Sequence, residues 1–193
     1  VRGRERMMEA DLRGAKGQAY TDMYGAWDGT VKEVCDMSLT SNFRRAIFVA
    51  ALNAAMRATG GIDGTVHCRD NEPVECARML HEYVAREELA PPCVLIGCQP
   101  RLAETLAEIG ELRIVDLDAG NIGESRAGVT VLPPEKTAEA IENAGAAFVT
   151  GSALVNGTII DFLDLPVPTV FFGVTIAGAA AVLGLRRFCP SPH

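Results

Sequence analysis

Hydrophobic residues in the second half of the chain fall into short unbroken runs, separated by stretches with apolar residues at helical spacing. Runs that are apolar on both faces are typical of parallel strands covered by helices. Predicted strands cover residues 93–97, 112–118, 129–132, 146–150 and 169–172, and predicted helices cover residues 101–110 and 135–144. Because strands alternate with helices, the pattern predicts right-handed crossovers and a Rossmann-like α/β domain with one parallel sheet.

The first half of the chain lacks this alternation and predicts a smaller α+β portion. Amphipathic spacing predicts helices over residues 2–13, 42–59 and 73–88, and residues 65–68 form a short candidate strand. Two prolines, Pro91 and Pro92, precede the first strand of the sheet. We therefore predict two domains, an α+β domain over residues 1–90 and a Rossmann-like ligand-binding domain over residues 91–193.

Composition narrows the class of protein. The 193 residues are 48% hydrophobic, which is enough for a real core, and the net charge of −7 argues against a nucleic-acid-binding surface. Residues 1–20 lack the apolar segment of a signal peptide, and glycines divide the apolar run at 167–185, which favours a buried strand and helix over a membrane span. We expect a cytoplasmic protein that does not enter the membrane and whose six cysteines form no disulfide. Whether it forms a homo-oligomer stays open.

In an open parallel sheet, ligands bind beyond the carboxyl ends of the strands, so the loops there hold the first candidate residues. The loop after the first strand contains Gly97 and Gln99 and is too short for the glycine-rich dinucleotide motif. After the second strand, Asp118 stands where a ribose-binding acid often stands. An acid at this place is also typical of a turn or a helix cap.

Residues 150–158 are the most informative of these loops, because glycines and small polar residues converge between a buried strand and a helix. Glycine lets the backbone approach a ligand or adopt positive φ, and a helix N-terminus offers N–H groups to an anion. The loop at 173–178 repeats this chemistry after the next strand. The candidate ligand-binding residues of the two loops are Thr150, Gly151, Ser152, Asn156, Gly157, Thr158, Gly173 and Thr175. The alternative is a plain strand-to-helix connection with an Asn turn and a Thr cap.

Two residues of the first half are further candidates. Asn53 places an amide on an apolar helix face, where it needs hydrogen-bond partners from the backbone or from a ligand. His67 is the attractive candidate for an acid–base residue, since His81 lies on a predicted exposed helix and His193 is terminal.

The spacing of the potential metal ligands is irregular. Cys68 follows His67 directly, and Cys76 lies five residues before His81, which matches no standard structural zinc site. We therefore predict no stoichiometric structural zinc, and the sequence indicates no particular cofactor.

Four segments resemble one protein family. They are residues 50–54, 65–68 and 96–102 and the string Thr-Gly-x-x-x-x-Asn-Gly-Thr at 150–158. The family is that of putative heavy-metal chelation, known mainly from prokaryotes, and the likeness extends over roughly residues 17–184. It implies an N-terminal domain similar to the small α/β domain that precedes enolase barrels, a Rossmann-like C-terminal domain, and a site between them. By motif position it implies site residues at Asn53, Gly97, Thr150, Gly151, Asn156 and Gly157.

Two main functional hypotheses follow. The first is a cytosolic protein that binds a small anionic or metal-chelating ligand in a cleft between the domains, in heavy-metal chelation or metal-cofactor metabolism. The alternative is a transferase or lyase that acts on a nucleotide-like or cofactor-like substrate, with His67 as the acid–base residue. A third hypothesis is a non-catalytic interaction subunit.

Overall fold

A computed structural model of the chain describes residues 6–67 and 72–189. The described residues form a mixed α/β structure with a small antiparallel sheet and a larger, mostly parallel sheet, which confirms the predicted fold class. The strands are β1 (Met7–Leu12), β2 (Ala15–Tyr20), β3 (Cys93–Ile96), β4 (Leu112–Val115), β5 (Ser125–Arg126), β6 (Val129–Leu132), β7 (Ala146–Thr150), β8 (Thr169–Phe172) and β9 (Arg187–Phe188). The α-helices are α1 (Val31–Cys35), α2 (Asn42–Ala58), α3 (Glu72–Arg86), α4 (Pro100–Ile109), α5 (Thr137–Ile141), α6 (Ser152–Asn156) and α7 (Ala177–Leu183), and short 3-10 helices cover Pro134–Lys136 and Ile159–Phe162. The more specific likenesses, to a Rossmann domain and to the domain before enolase barrels, stay predictions.

The larger sheet has its strands in the order β5-β6-β4-β3-β7-β8-β9 within the described part of the chain. Strand β3 pairs in parallel with β4 on one side and with β7 on the other, so that Leu95 lies opposite both Ile114 and Phe148. These three side chains are fully buried. Burial on both faces explains why the strands appear in the sequence as unbroken apolar runs.

The path of the chain reverses beside β3. From β3 the chain moves outward to β4 and β6, and it then returns to add β7 on the opposite side of β3. The carboxyl ends of β3 and β7 are therefore neighbours at a switch in strand order. In open parallel sheets, such a switch point is where ligands bind.

The described residues divide into two compact units that are discontinuous along the chain. One unit contains residues 6–67, 151–163 and 171–189, and the other contains residues 72–150 and 164–170. Compactness is not the same property as independent folding, so the predicted domain division at residue 90 stays a prediction.

The N-terminal segment contradicts the predicted helix over residues 2–13, of which residues 1–5 lie outside the described part. Residues 7–20 form a hairpin in which Met7 pairs with Tyr20 and Leu12 with Ala15. Positive φ angles of 55° at Arg13 and 90° at Gly14 turn the chain between the strands. The six residues of β1 fit a period of two as well as a helical one, and the Arg-Gly turn that follows them is the signal for a hairpin.

Helix α2 confirms the helix predicted over residues 42–59 and packs against the hairpin. Its N-cap is Ser41, whose side chain accepts a hydrogen bond from the Arg44 amide. The contact is close because the side chains at it are small. Ala46, Val49 and Ala50 of α2 lie in one buried cluster with Ala19 of β2 and with Val155 of α6. Such close packing of backbone on backbone leaves little room for larger side chains.

The second unit contains the helices that correspond to the predictions over residues 73–88 and 101–110. They are α3 and α4, which pack against each other. Strand β7 matches its predicted bounds, whereas β4 ends at Val115, three residues before the predicted end. Residues 65–67 form no strand, and Cys68 lies outside the described residues.

The apolar run at 167–185 forms strand β8, a loop and helix α7, as predicted. In residues 6–67 and 72–189, no helix is both long enough and apolar enough to cross a bilayer. In the same ranges, Cys35, Cys93 and Cys98 are free thiols.

Replacement of Gly17 tests the close approach of β2 to α2. A Cβ atom at Gly17 would lie 2.3 Å from both the Ala50 carbonyl oxygen and the Ala54 amide nitrogen. We expect Gly17→Ala to lower the free energy of unfolding by about 1–3 kcal/mol or more, because backbone must move to admit the methyl group. Urea denaturation measures the change. Gly61→Ala is the control, since its nearest atoms would lie at 3.4 Å; equal losses in the two variants would contradict this packing.

The buried Cys93 thiol predicts a pH dependence of stability. Burial raises its pKa to about 11. Since the unfolded chain releases this proton at lower pH than the folded chain, the thiol stabilises the fold less and less as the pH rises from about 9 towards 11, at roughly 1 kcal/mol per pH unit. We expect the stability advantage of wild type over Cys93→Val to shrink across this range in urea titrations. A constant difference between pH 8 and 11 would show that the thiol titrates normally in the folded state.

Candidate functional site

The loop after β3 brings backbone close to the end of β7. Gly97 has a φ of 89°, and a Cβ atom there would lie 2.6 Å from Cγ2 of Thr150. A side chain at this position would therefore be both strained and obstructed. Two residues predicted for the site, Gly97 and Thr150, are thus in contact at the switch in strand order.

Gln99 ends this loop and caps α4. Its side-chain oxygen accepts a hydrogen bond of 2.6 Å from the Leu102 amide, and Pro100 occupies the first turn of the helix, where no N–H partner is needed. The capping bond occupies one acceptor of the Gln99 amide. A ligand contact from the same side chain stays a prediction.

Asp116 ties the end of β4 to the loop after β3. Its Oδ2 accepts hydrogen bonds from the Cys98 amide at 2.8 Å and from the Asn121 side chain at 3.0 Å, and its Oδ1 accepts one from the Asp118 amide at 2.9 Å. Sequence reasoning missed this residue, although an acid directly after a buried strand was the available signal. Asp116 fixes the position of the backbone between Gly97 and Gln99.

Asp118, predicted as a ribose-binding acid, shapes its own turn. Its Oδ1 accepts a hydrogen bond of 2.9 Å from the Gly120 amide, and its carbonyl oxygen accepts from the amides of Asn121 and Ile122. The residue is exposed. This is the turn-forming role that was the alternative in the sequence, and a ligand contact of Asp118 stays a prediction.

The Cys98 thiol lies between opposite charges. Burial raises its pKa and the Asp116 carboxylate raises it further, whereas the Arg126 guanidinium opposes the rise through its charge and a hydrogen bond. Arg126 was not predicted from the sequence, because it comes from the two-residue strand β5. The thiol of the loop after β3 is thus influenced by a carboxylate from the end of β4 and by a guanidinium from β5.

Residues 151–158, in the other unit, form a short helix rather than an open loop. Gly151 is buried, and a Cβ atom there would lie 2.7 Å from the Ile176 amide nitrogen. Ser152 and Asn156 are the first and last residues of α6, which Gly157 ends in the left-handed conformation with a φ of 77°. The Thr cap of the alternative interpretation is absent: the Thr158 side chain makes no cap bond to the following 3-10 helix.

Arg45 of α2 holds the C-terminal end of α6. Its Nε donates a hydrogen bond of 2.5 Å to the Val155 carbonyl oxygen, and its other nitrogens donate to the Leu39 carbonyl and to the Asn42 side chain. A guanidinium is favourable here because the last carbonyl groups of a helix carry partial negative charge. This contact could not be predicted from the sequence, since residue 45 precedes Val155 by 110 positions.

Asn53 binds the loop at 173–178 through both atoms of its amide. Its Nδ2 donates to the carbonyl oxygens of Gln18, Val174 and Thr175 at 2.9, 3.1 and 3.3 Å, and its Oδ1 accepts from the Gly178 amide at 2.7 Å. The side chain is fully buried. This arrangement is the backbone-bonding alternative considered for Asn53, and its predicted contact with a ligand stays a prediction.

The same loop has two further attachments. The Thr175 hydroxyl oxygen accepts a hydrogen bond of 3.0 Å from the Tyr20 amide, and the residue is buried. Arg187 donates to the Gly173 carbonyl at 3.1 Å and also to the carbonyl oxygens of Asp63 and Gly64. Gly173 has a φ of 90°, so glycine is favoured there.

His67 lies beside Tyr20 at the hairpin. The two ring centroids are 5.5 Å apart in an edge-to-face arrangement, and the His67 amide donates a hydrogen bond of 2.7 Å to the Gln18 side chain. The imidazole is partly exposed. Its acid–base role stays a prediction.

The residues predicted for the site therefore fall into two groups by unit. The unit that contains β3 holds Gly97, Gln99, Asp118 and Thr150. The unit that contains α2 holds Asn53, His67, Gly151, Ser152, Asn156, Gly157, Thr158, Gly173 and Thr175.

Of the potential metal ligands, Nε2 of His81 lies 3.1 Å from a carboxylate oxygen of Glu108. Across residues 6–67 and 72–189, no three His, Cys, Asp or Glu side chains are grouped so that they could hold a metal ion.

Removal of the Asn53 amide tests its role as the anchor of the loop at 173–178. We expect Asn53→Ala to cost about 3 kcal/mol or more in free energy of unfolding, because it leaves several buried backbone groups without partners. Asn42→Ala on the same helix is the control: its side chain bonds the exposed Asp22 and the half-buried Arg45, and a loss of about 0.5–1.5 kcal/mol is expected. Hydrogen exchange at the Gly178 amide should accelerate in Asn53→Ala only. Unchanged exchange there would contradict the anchoring role.

Comparisons with known proteins agree on one family. The family model described as "Putative heavy-metal chelation" (DUF364) matches residues 85–184. A DUF364 protein of unknown function from Pyrococcus horikoshii is similar in structure, with a TM-score of 0.61 and 18% identity over 89% of this chain and 69% of that one. Another from Desulfitobacterium hafniense DCB-2 has a TM-score of 0.62 and 14% identity over 93% of this chain and 72% of that one. No curated protein matches the chain. Because the family model covers more than half of the sequence, the chain belongs to the DUF364 family, described as one of putative heavy-metal chelation.

Proposed function

We propose that this protein binds a small anionic or metal-chelating ligand at the carboxyl ends of β3, β4 and β7. The residues of this β3-end site are Gly97, Cys98, Gln99, Asp116 and Thr150. The observation that carries the proposal is the contact between Gly97 and Thr150 at the switch in strand order, the position where open parallel sheets bind ligands.

The polar groups around this contact favour an anion or a chelate. The backbone after Gly97 leads directly into the ten-residue helix α4, whose N-terminus carries partial positive charge. Asp116 holds the Cys98 amide at 2.8 Å, so the backbone of the loop is fixed before any ligand arrives. A fixed backbone lowers the entropic cost of binding.

The metal in this proposal arrives with the ligand. The described residues offer no group of three metal-binding side chains, whereas a chelating ligand brings most of the coordination sphere itself. The Cys98 thiol then supplies a soft donor beside the bound chelate. The family description, which refers to heavy-metal chelation, supports a ligand of this class.

A second candidate function is a transferase or lyase that uses His67. It is favoured by the edge-to-face contact of the His67 and Tyr20 rings, which holds the imidazole in a defined orientation. The two functions differ in the role of His67. In the binding function, His67→Gln leaves ligand affinity and ligand lifetime unchanged, whereas in the enzymatic function it abolishes turnover of the bound molecule.

Native mass spectrometry of the freshly purified full chain tests ligand binding directly. We expect a bound species of small mass, and elemental analysis of the same sample identifies any metal that it carries. Citrate, with and without equimolar Zn²⁺, is the defined probe for titration calorimetry. A chain that carries no small molecule and binds neither form of citrate would contradict the proposed function.

Two side-chain variants locate the contact. Thr150→Val keeps the shape of the side chain and removes its hydroxyl group, and we expect citrate affinity to fall about tenfold, the value of one hydrogen bond to a charged group. Asn156→Ala tests the predicted contact of α6: a loss of affinity with an unchanged melting temperature indicates a ligand contact, and a loss of stability alone indicates a helix-end role. Thr137→Val on α5, which bonds the Pro134 carbonyl, is the matched control and should leave affinity unchanged.

A further inference from the structure

Large apolar side chains are exposed around the first turn of α2. Within residues 6–67 and 72–189, all the exposed large hydrophobic residues except Leu117 belong to the unit that contains α2. Six of them come from the chain before α2 and from the 3-10 helix after α6. These six residues form the α2-start surface: Met23, Tyr24, Trp27, Val31, Leu39 and Ile160.

Asn42 lies where the segments of this surface meet. Its Nδ2 donates a hydrogen bond of 2.7 Å to the Asp22 carboxylate, and its Oδ1 accepts one from Arg45. Arg45 also donates to the Leu39 carbonyl oxygen at 3.0 Å, and a Cβ atom at Gly157 would lie 3.5 Å from its Cζ. Helix α1 contacts α2 as well. The segments before α2 and after α6 therefore lie side by side around one helical turn.

The chain before α1 is exposed but fixed in conformation. Residues 22–33 are all exposed. The Thr21 hydroxyl accepts a hydrogen bond of 3.0 Å from the Met23 amide and donates one of 2.9 Å to the Met23 carbonyl oxygen. The indole ring of Trp27 lies against Gly29, where a Cβ atom would lie 2.6 Å from its Cη2. Because these groups are already ordered, they lose little entropy when a partner binds.

The α2-start surface has the chemistry and the size of a protein–protein interface. Tyr, Trp, Met and Arg are enriched in such interfaces, and here the Arg6 guanidinium lies 5.3 Å from the centre of the Tyr24 ring. Tyr24 is 62% exposed and Ile160 is 74% exposed. Together the six residues expose on the order of 600 Å², which is most of the roughly 800 Å² that each partner buries in an interface of standard size. Such an area is at the upper limit for the largest apolar patch of a typical monomer.

The charges at this surface favour a second copy of the chain as the partner. The acidic residues Asp22 and Asp28 and the basic residues Arg6 and Arg44 are all exposed there. In a two-fold dimer, a surface that carries both signs of charge complements itself, whereas a partner of a single sign would leave one set unmatched. The net charge of −7 also disfavours an anionic partner such as a nucleic acid or an acidic lipid surface.

We propose that this protein forms a two-fold symmetric homodimer in which the α2-start surfaces of two copies pack against each other. Tyr24 and Trp27 are the main apolar contacts of this interface. The inference is independent of the proposed function, because none of these residues belongs to the β3-end site.

Sedimentation equilibrium of the full chain tests the dimer. We expect a mass of twice 20.5 kDa at about 10 µM, as for an interface of this size. Tyr24→Asp should weaken the dimer about tenfold or more, because it removes an apolar contact and brings like charges together. Val182→Asp is the matched control, since it places the same charge on an exposed apolar residue of α7. Tyr24→Ser should also weaken the dimer, and it replaces the aspartate variant if circular dichroism finds that variant unfolded.

Trp27 gives a second measurement at the surface itself, because it is the only tryptophan of the chain. Dilution of the wild type should shift its emission to longer wavelengths and increase its quenching by iodide, since dissociation exposes the indole to water. Tyr24→Asp should have the spectrum of the diluted wild type at every concentration, whereas Val182→Asp should behave like the wild type.

Two results would overturn the inference. The first is a wild type that keeps the mass of a single chain at about 100 µM, a concentration at which even a weak dimer forms. The second is a dimer that uses another surface: its Trp27 emission would not change on dilution, and Tyr24→Asp would dissociate no more than Val182→Asp.

Discussion

The side-chain amide of Asn53 is the interaction on which much of one compact unit depends. It joins three segments that are far apart in sequence: the strand β2, the helix α2 and the loop between β8 and α7. A buried amide is costly unless all its groups are bonded, and here both of its polar atoms have backbone partners. The loop at 173–178 therefore has its backbone fixed by a single side chain, with Thr175 and Arg187 as additional attachments.

In the other unit, the corresponding constraint is the carboxylate of Asp116. It accepts hydrogen bonds from the loop after β3 and from the turn after β4, and so holds the ends of these two strands together. Gly97 then allows the loop to pass Thr150 without a side chain between them. Both units thus use one buried or half-buried polar side chain to fix a loop at the end of a strand, and both loops are among those in which the sequence predicted ligand contacts.

The sequence predicted the parallel strands and the longer helices well, because their apolar patterns depend on local burial. It failed for residues 7–12, where six residues can be assigned to either period and only the Arg13-Gly14 turn indicates a hairpin. It indicated that Asn53 needs partners but not which ones, since these lie 35 to 125 positions away. For the same reason Arg126 was not predicted, and the shorter β4 shifted the important acid from Asp118 to Asp116.

The discontinuity of the unit that contains α2 has a consequence for synthesis on the ribosome. Helix α2 and the hairpin are complete by residue 58, but the Asn53 oxygen acquires its partner only when Gly178, 125 positions after Asn53, has been made. During that interval, the small apolar residues of α2 and the side-chain amide of Asn53 lack the partners that α6, α7 and the loop before α7 later supply. Contacts of such long sequence separation form slowly and expose surfaces that aggregate, so this protein should depend on chaperones more than its size suggests.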